Sequence, residues 1–194
     1  MNHTDLSNSF CSRPVSVIDS PNMKKKKIIL VGPGASGKDH LAGLLAAEGY
    51  SRAVSRTTRP MRVGERDGEA YHFVTEQEFR RGVDNDEFRE WYRFGTMNWF
   101  YGTTEKEFQR ADLFIMSPPV LPSMAAVLKD FTVVYLNIPQ AIRRLRMTLR
   151  ADADSVERRL EADAHDFRDF TSFDIEITSP DFTVGDVLQA LAAT

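Results

Sequence analysis

"KKKKIILVGPGASGKDHL", residues 24–41, decides the fold. Residues 28–31 form a wholly apolar run, as expected of a strand buried on both faces of a parallel sheet. Glycines at 32, 34 and 37 break that run, and residues 38–47 resume with Leu41, Leu44 and Leu45 at helical spacing. Strand, glycine turn and helix in this order match G-x-x-x-x-G-K. Glycines let backbone N–H groups turn inward around phosphate oxygens, and the helix start adds a positive dipole. Gly32, Pro33, Gly34, Ala35, Ser36, Gly37, Lys38 and Asp39 are therefore the candidate ATP-binding loop, with Lys38 reaching for the β- and γ-phosphates.

Asp39 stands where such a loop normally offers a Ser or Thr hydroxyl to Mg²⁺. A carboxylate is also a hard oxygen ligand, able to hold the metal directly or through water. Alternatively, the acid simply suits the positive end of the helix. The reading favours a metal role for Asp39, beside a triphosphate whose charge Mg²⁺ would offset.

Outward from the loop, apolar strands are expected at "DLFIM" (112–116), "TVVYLNI" (132–138) and "FDIEI" (173–177). Ile142, Leu145 and Leu149 mark one helix, "VERRLEADAHDF" another, and Val184, Val187, Leu188 and Leu191 a closing one. Between the first helix and "DLFIM" lie a polar, Arg-rich loop over 55–68 and aromatic strand candidates at 71–74, 87–94 and 98–102. A short helix is expected around "TEQEFRRGV". The pattern predicts an α/β, three-layer fold with a mainly parallel sheet and a small inserted α+β lobe at about 55–103. Residues 1–22 read as a loose polar tail, and Met23 is an alternative start.

With 42% hydrophobic and 27% charged residues, the 194-residue chain falls in the globular range, which argues against wholesale disorder. A net charge of -3 argues against generic nucleic-acid binding. The single cysteine, Cys11, allows no intrachain disulfide, which fits a cytoplasmic setting. No apolar run reaches membrane-spanning length and no secretory leader is evident, so no membrane partner is expected. A monomer or weak homodimer is the expectation for oligomeric state.

The second informative stretch is "SRTTRPMRVGERDGEAYHF", residues 55–73. Arg59 and Arg62 can converge on one phosphate, since two guanidinium forks neutralise a dianion, with Ser55 and Tyr71 adding hydroxyls. From about Ile28 to the last strand the sequence resembles the guanylate kinase family. The resemblance rests on the phosphate loop, S-x-T-T-R-x-x-R at 55–62, G-E-x-x-G-x-x-Y-x-F at 64–73, E-F-x-E-W at 87–91 and Y-G-T at 101–103. It implies a phosphate-loop kinase using ATP and Mg²⁺ to phosphorylate a nucleoside monophosphate, GMP or dGMP. It places Ser55, Arg59, Arg62, Tyr71 and Tyr101 on the acceptor phosphate, and Glu90 and Thr103 on guanine. Arg146, Arg150 and Arg159 resemble the family's lid and sheet-edge arginines, the resemblance implying a lid at about 146–159, and with Lys38 they are the candidate catalytic cations. Arg143, Arg144 and Arg158 read instead as a solvated helix face.

The family's acidic L-D-I-D segment is missing: "LFIMSPPVLPS" puts Met116 and Pro118 where carboxylates are expected, and Asp39 is a candidate partial replacement. The same swap resembles a branch that phosphorylates ribose 1,5-bisphosphate, and the combination also resembles divergent phage members. Against the sugar-phosphate reading stand the intact motifs of the nucleotide lobe. A non-catalytic guanylate kinase-like binding module is the third reading, disfavoured by Lys38, Arg59, Arg62 and Glu90.

Overall fold

The computed structural model describes residues 26–94, 98–150 and 155–194. The expected tail lies outside them, as does part of the expected lid. In chain order the elements are β1 (Lys27–Val31), α1 (Lys38–Ala47), β2 (Ser55–Thr57), β3 (Tyr71–Phe73), α2 (Glu76–Asp84), β4 (Phe88–Phe94) and β5 (Trp99–Thr104). Then follow α3 (Glu105–Arg110), β6 (Leu113–Ile115), a 3₁₀ turn (Pro118–Met124), α4 (Ala125–Leu128) and β7 (Phe131–Leu136). The chain closes with α5 (Gln140–Thr148), α6 (Val156–Asp166), β8 (Ile175–Ile177) and α7 (Val184–Ala192).

One sheet runs β6-β1-β7-β8 with every pairing parallel. Alternation along β1 explains its all-apolar sequence, because successive side chains serve opposite faces. Ile28 and Leu30 pack with Leu41 and Leu45 of α1 and Val187 of α7. Ile29 and Val31 pack on the other side with Phe108, Phe114, Met124 and Phe131. Each such side chain contributes about 1.5–3 kcal/mol of burial. The result is a three-layer α/β core whose strand ends present the loops between β1 and α1 and after β6.

The second sheet runs β3-β2-β5-β4, with β2 parallel to β3 and antiparallel to β5, and β4 antiparallel to β5. Its underside is held by α2, whose Phe79 stacks on Phe88 at 4.4 Å and lies 5.4 Å from Phe100. Helix α2 starts from a capping box in which Thr75 and Glu78 satisfy each other's backbone N–H groups.

Three expectations need correction. The stretch 55–68 is not all loop: its first three residues are β2, an interior strand of the second sheet. Pairing on both sides and the Thr57 Oγ1–Phe100 carbonyl bond of 3.0 Å hold β2, where apolar patterning is absent. Of the apolar marks expected for α5, Ile142 packs against the core, but Leu145 is 58% and Leu149 76% exposed, while Arg143 and Met147 are buried. That helix packs on the carbonyl-rich glycine loop, which demands donors from its neighbour, and this also overturns the solvated reading of Arg143. Arg144 does sit at the surface, paired with Glu157.

Candidate active site

The loop between β1 and α1 turns as its glycines allow. Gly37 has φ +105° and Ala35 φ +60°, both left-handed, which points successive N–H groups to one side and makes an anion-receptive nest. For Ala35 this geometry costs about 1–2 kcal/mol, a local strain located at the loop's centre. Lys38 donates to the Gly32 carbonyl at 2.5 Å and to the Pro33 carbonyl at 3.0 Å. Burial lowers its pKa to about 8, against the pull of Asp39 and Asp163, which favour the cation.

Asp39 opens α1 with its side chain more than half exposed, and its Oδ1 accepts from Arg52 Nη2 at 2.6 Å. Burial pushes its carboxyl upward, but the Arg52 charge and hydrogen bond outweigh it and hold the pKa below the usual value. Among the described residues no three His, Cys, Asp or Glu side chains converge as a metal cage. A magnesium ion suits such a place, because it is commonly held by one or two carboxylates, with phosphate and water completing its shell.

Lys38 and Asp39 share one cleft with Ser55, Arg59, Arg62, Tyr71, Glu90, Tyr101, Arg150 and Arg159. So the two cationic groups legible in sequence do face a common space. Arg146 does not: it braces the back of the loop, donating to the Ala35, Ser36 and Pro180 carbonyls at 3.2, 3.3 and 3.3 Å.

On the acceptor side Arg59 is only 4% exposed. Its guanidinium lies over the rings of Tyr71 and Phe73, and both its Nη atoms donate to Glu65, at 3.0 and 2.8 Å. Glu65 also accepts from the Arg62 backbone N–H at 2.7 Å. This carboxylate went unassigned in the sequence, although its position three residues beyond Arg62 was a usable signal.

Glu90 faces the same cleft from β4 and is 8% exposed. Burial pushes its pKa up to about 7, with hydrogen bonds from Thr103 pulling the other way. Thr103 N–H donates to Glu90 Oε1 at 3.0 Å, and the Thr103 and Ser55 hydroxyls lie 2.9 Å apart. The Glu90 carboxylate lies at the cleft wall, where a pair of adjacent N–H donors would match it.

Two further carboxylates were not foreseen. Asp163 of α6 accepts from the Gly34 N–H and from Arg143. Asp166, three residues on, accepts from the Tyr92 hydroxyl at 2.8 Å, so the second sheet and α6 are joined across the cleft floor.

A family profile described as Guanylate kinase matches residues 24–112. A guanylate kinase of Sulfurimonas denitrificans is 32% identical over 180 residues, covering 86% of this chain and 83% of that one. One of Schizosaccharomyces pombe is 36% identical over 158 residues, covering 75% and 72%. The chain belongs to the guanylate kinase family. A guanylate kinase of an Aster yellows witches'-broom phytoplasma is 41% identical over 91 residues, and there the chain spans only 42% of the relative's length. The crystal structure of guanylate kinase from Anaplasma phagocytophilum matches the fold, with a TM-score of 0.64 at 24% identity over 88% of this chain and 87% of that one.

Within this guanylate kinase family member, the segment after β6 gives the cleft an apolar wall. Met116 is buried, and Met116, Ser117 and Val120 line the space where the sequence lacks the expected acids. Tyr92 and Asp166 line it as well.

Proposed function

We propose that this protein transfers the γ-phosphoryl group of ATP to a nucleoside monophosphate, GMP or dGMP, giving the diphosphate. The observation that carries the reading is the shared cleft: Lys38 and the glycine nest on one side, Arg59, Arg62 and Tyr71 on the other, and Glu90 at its end. Phosphoryl transfer asks the protein for positioning and positive charge rather than covalent chemistry.

In this reading the nest N–H groups and Lys38 take the donor's phosphates, Lys38 exchanging the Gly32 and Pro33 carbonyls for phosphate oxygens. Arg59 and Arg62, with the Tyr71 and Tyr101 hydroxyls and Ser55, take the acceptor phosphate. Glu65 holds Arg59 flat on its aromatic bed until that phosphate arrives. Arg150 and Arg159 neutralise charge developing between the two. Glu90 accepts from guanine's adjacent N–H groups, and Thr103 adds a hydroxyl. Arg146 supports the loop from behind. Asp39 would hold Mg²⁺, whose chemistry is to offset triphosphate charge and polarise the phosphoryl group. Keeping water out of the cleft during transfer would prevent hydrolysis of ATP.

A coupled ADP-release assay across the common ribo- and deoxynucleoside monophosphates, plus ribose 1,5-bisphosphate, tests this. Turnover selective for GMP or dGMP is expected. Turnover with the sugar phosphate alone, or none at all, would overturn it.

A further inference from the structure

A buried ion pair lies outside the roles just given. Asp163 is 4% and Arg143 8% exposed, and Arg143 Nη1 meets Asp163 Oδ2 at 2.9 Å. Both oxygens of Asp163 accept from the Gly34 N–H, at 3.0 and 2.9 Å. Arg143 Nη1 donates to the Gly34 carbonyl at 3.4 Å, and its Nε to the Ile138 carbonyl at 3.1 Å. Both backbone polar groups of one loop residue are thus gripped by a single ion pair, its members drawn from α5 and α6.

Gly34 is what allows the grip. A Cβ on it would come within 2.7 Å of Met147 Cε and 3.2 Å of Asp163 Oδ2. Ala35 follows directly in its left-handed conformation, so the clamp sits beside the most strained peptide of the nest. On α6, Arg159 precedes Asp163 by four residues and so projects from the same helix face. Arg159 lines the cleft together with Lys38. Fixing Asp163 on Gly34 therefore fixes, through one helical turn, where Arg159 stands relative to the loop.

We propose that Asp163, backed by Arg143, is a positioning residue for donor binding and transfer: it locks the phosphate nest in its receptive shape and sets Arg159 over it. The proposal rests on the kinase reading above. The pair acts through Gly34 and Arg159. Its loss should therefore damage the donor side and the transfer step while sparing the acceptor side.

Removing Asp163 alone would strand a buried cation and endanger folding, so the test uses the double variants Asp163→Ala/Arg143→Met and Asp163→Asn/Arg143→Met. ATP affinity is measured by calorimetry without acceptor, and KM and kcat are measured for each substrate. In Asp163→Ala/Arg143→Met, the ATP dissociation constant and KM should rise about tenfold and kcat should fall about tenfold, with the acceptor KM within about twofold. Asp163→Asn/Arg143→Met, which keeps an oxygen for the Gly34 N–H without stranding a cation, should recover most of the loss. Unchanged or tighter ATP binding in Asp163→Ala/Arg143→Met overturns the proposal, as does an equal rise in both KM values. An unmutated protein that binds no ATP removes the kinase reading and the clamp's role together. ATP binding by the unmutated protein that the variants match removes only the clamp.

Discussion

Glu65 grips Arg59 with both carboxylate oxygens, at 2.8 and 3.0 Å, and so occupies the guanidinium fork that the proposed acceptor phosphate would use. An arriving phosphate either displaces this carboxylate or approaches Arg59 from another side, and Arg62 shares the load. Arg62→Ala should therefore raise the acceptor KM by about tenfold or more, in line with a lost charge-assisted contact of about 1.5–3 kcal/mol, and leave the ATP KM nearly unchanged. Steady-state kinetics varying each substrate separately check this, and a wild-type acceptor KM would refute the assignment.

Lys38 is half-buried against its own loop and satisfied there by two carbonyls. Lys38→Ala should lower kcat by about 10²–10³-fold, as for other preorganised donors facing developing charge. The fold should persist, because the loop keeps its backbone bonds and its Asp163 brace. Circular dichroism and single-turnover rates measure the two halves of this prediction.

Glu90 titrates near 7 in the folded protein, against an ordinary value of 4.5. Between these values the folded state holds a proton that the unfolded state has lost, so this group's contribution to stability is full below about pH 4.5 and lost as pH rises to about 7. Glu90→Gln should therefore raise Tm more at pH 8 than at pH 5.5. In the unmutated protein the GMP KM should fall as pH rises through about 7, because only the ionised carboxylate accepts from both guanine N–H groups. Thermal melts at the two pH values and a pH profile of the GMP KM decide it. Equal Tm differences at both values would count against it.

Asp39 is paired with Arg52 at 2.6 Å yet remains more than half exposed to the cleft. Asp39→Ser should shift the Mg²⁺ concentration for half-maximal activity, with little change in melting temperature, since an exposed pair contributes only about 0–1 kcal/mol. A magnesium titration that superimposes on the unmutated one would leave Asp39 a helix-starting residue only.

What was legible in the sequence follows from where burial is two-sided. β1 is apolar from Ile28 to Val31 and β7 nearly so because both faces are covered, and the glycine loop between β1 and α1 announces itself by composition. β2 was hidden, because a three-residue strand held by neighbours on both edges needs no apolar pattern. The face of α5 was only half legible: Ile142 packs on the core, but the helix also packs on a polar loop, so Arg143 and Met147 are buried while Leu145 and Leu149 are exposed. Arg59, Arg62 and Glu90 stood out as candidates because their chemistry is written locally, in a motif, and all three line the cleft. Asp163 and Arg143 were missed because their meaning is a long-range pairing with Gly34, and a buried charge spells the same as a solvated one.

The Tyr92–Asp166 hydrogen bond ties a strand of the acceptor-side sheet to the helix that also carries Arg159, two turns earlier. A stitch at that place makes the two halves of the cleft mechanically conversant: drawing one inward tugs on the other. Filling either half should then sharpen the grip of its neighbour, and thermodynamic reciprocity requires the favour to be returned in equal measure.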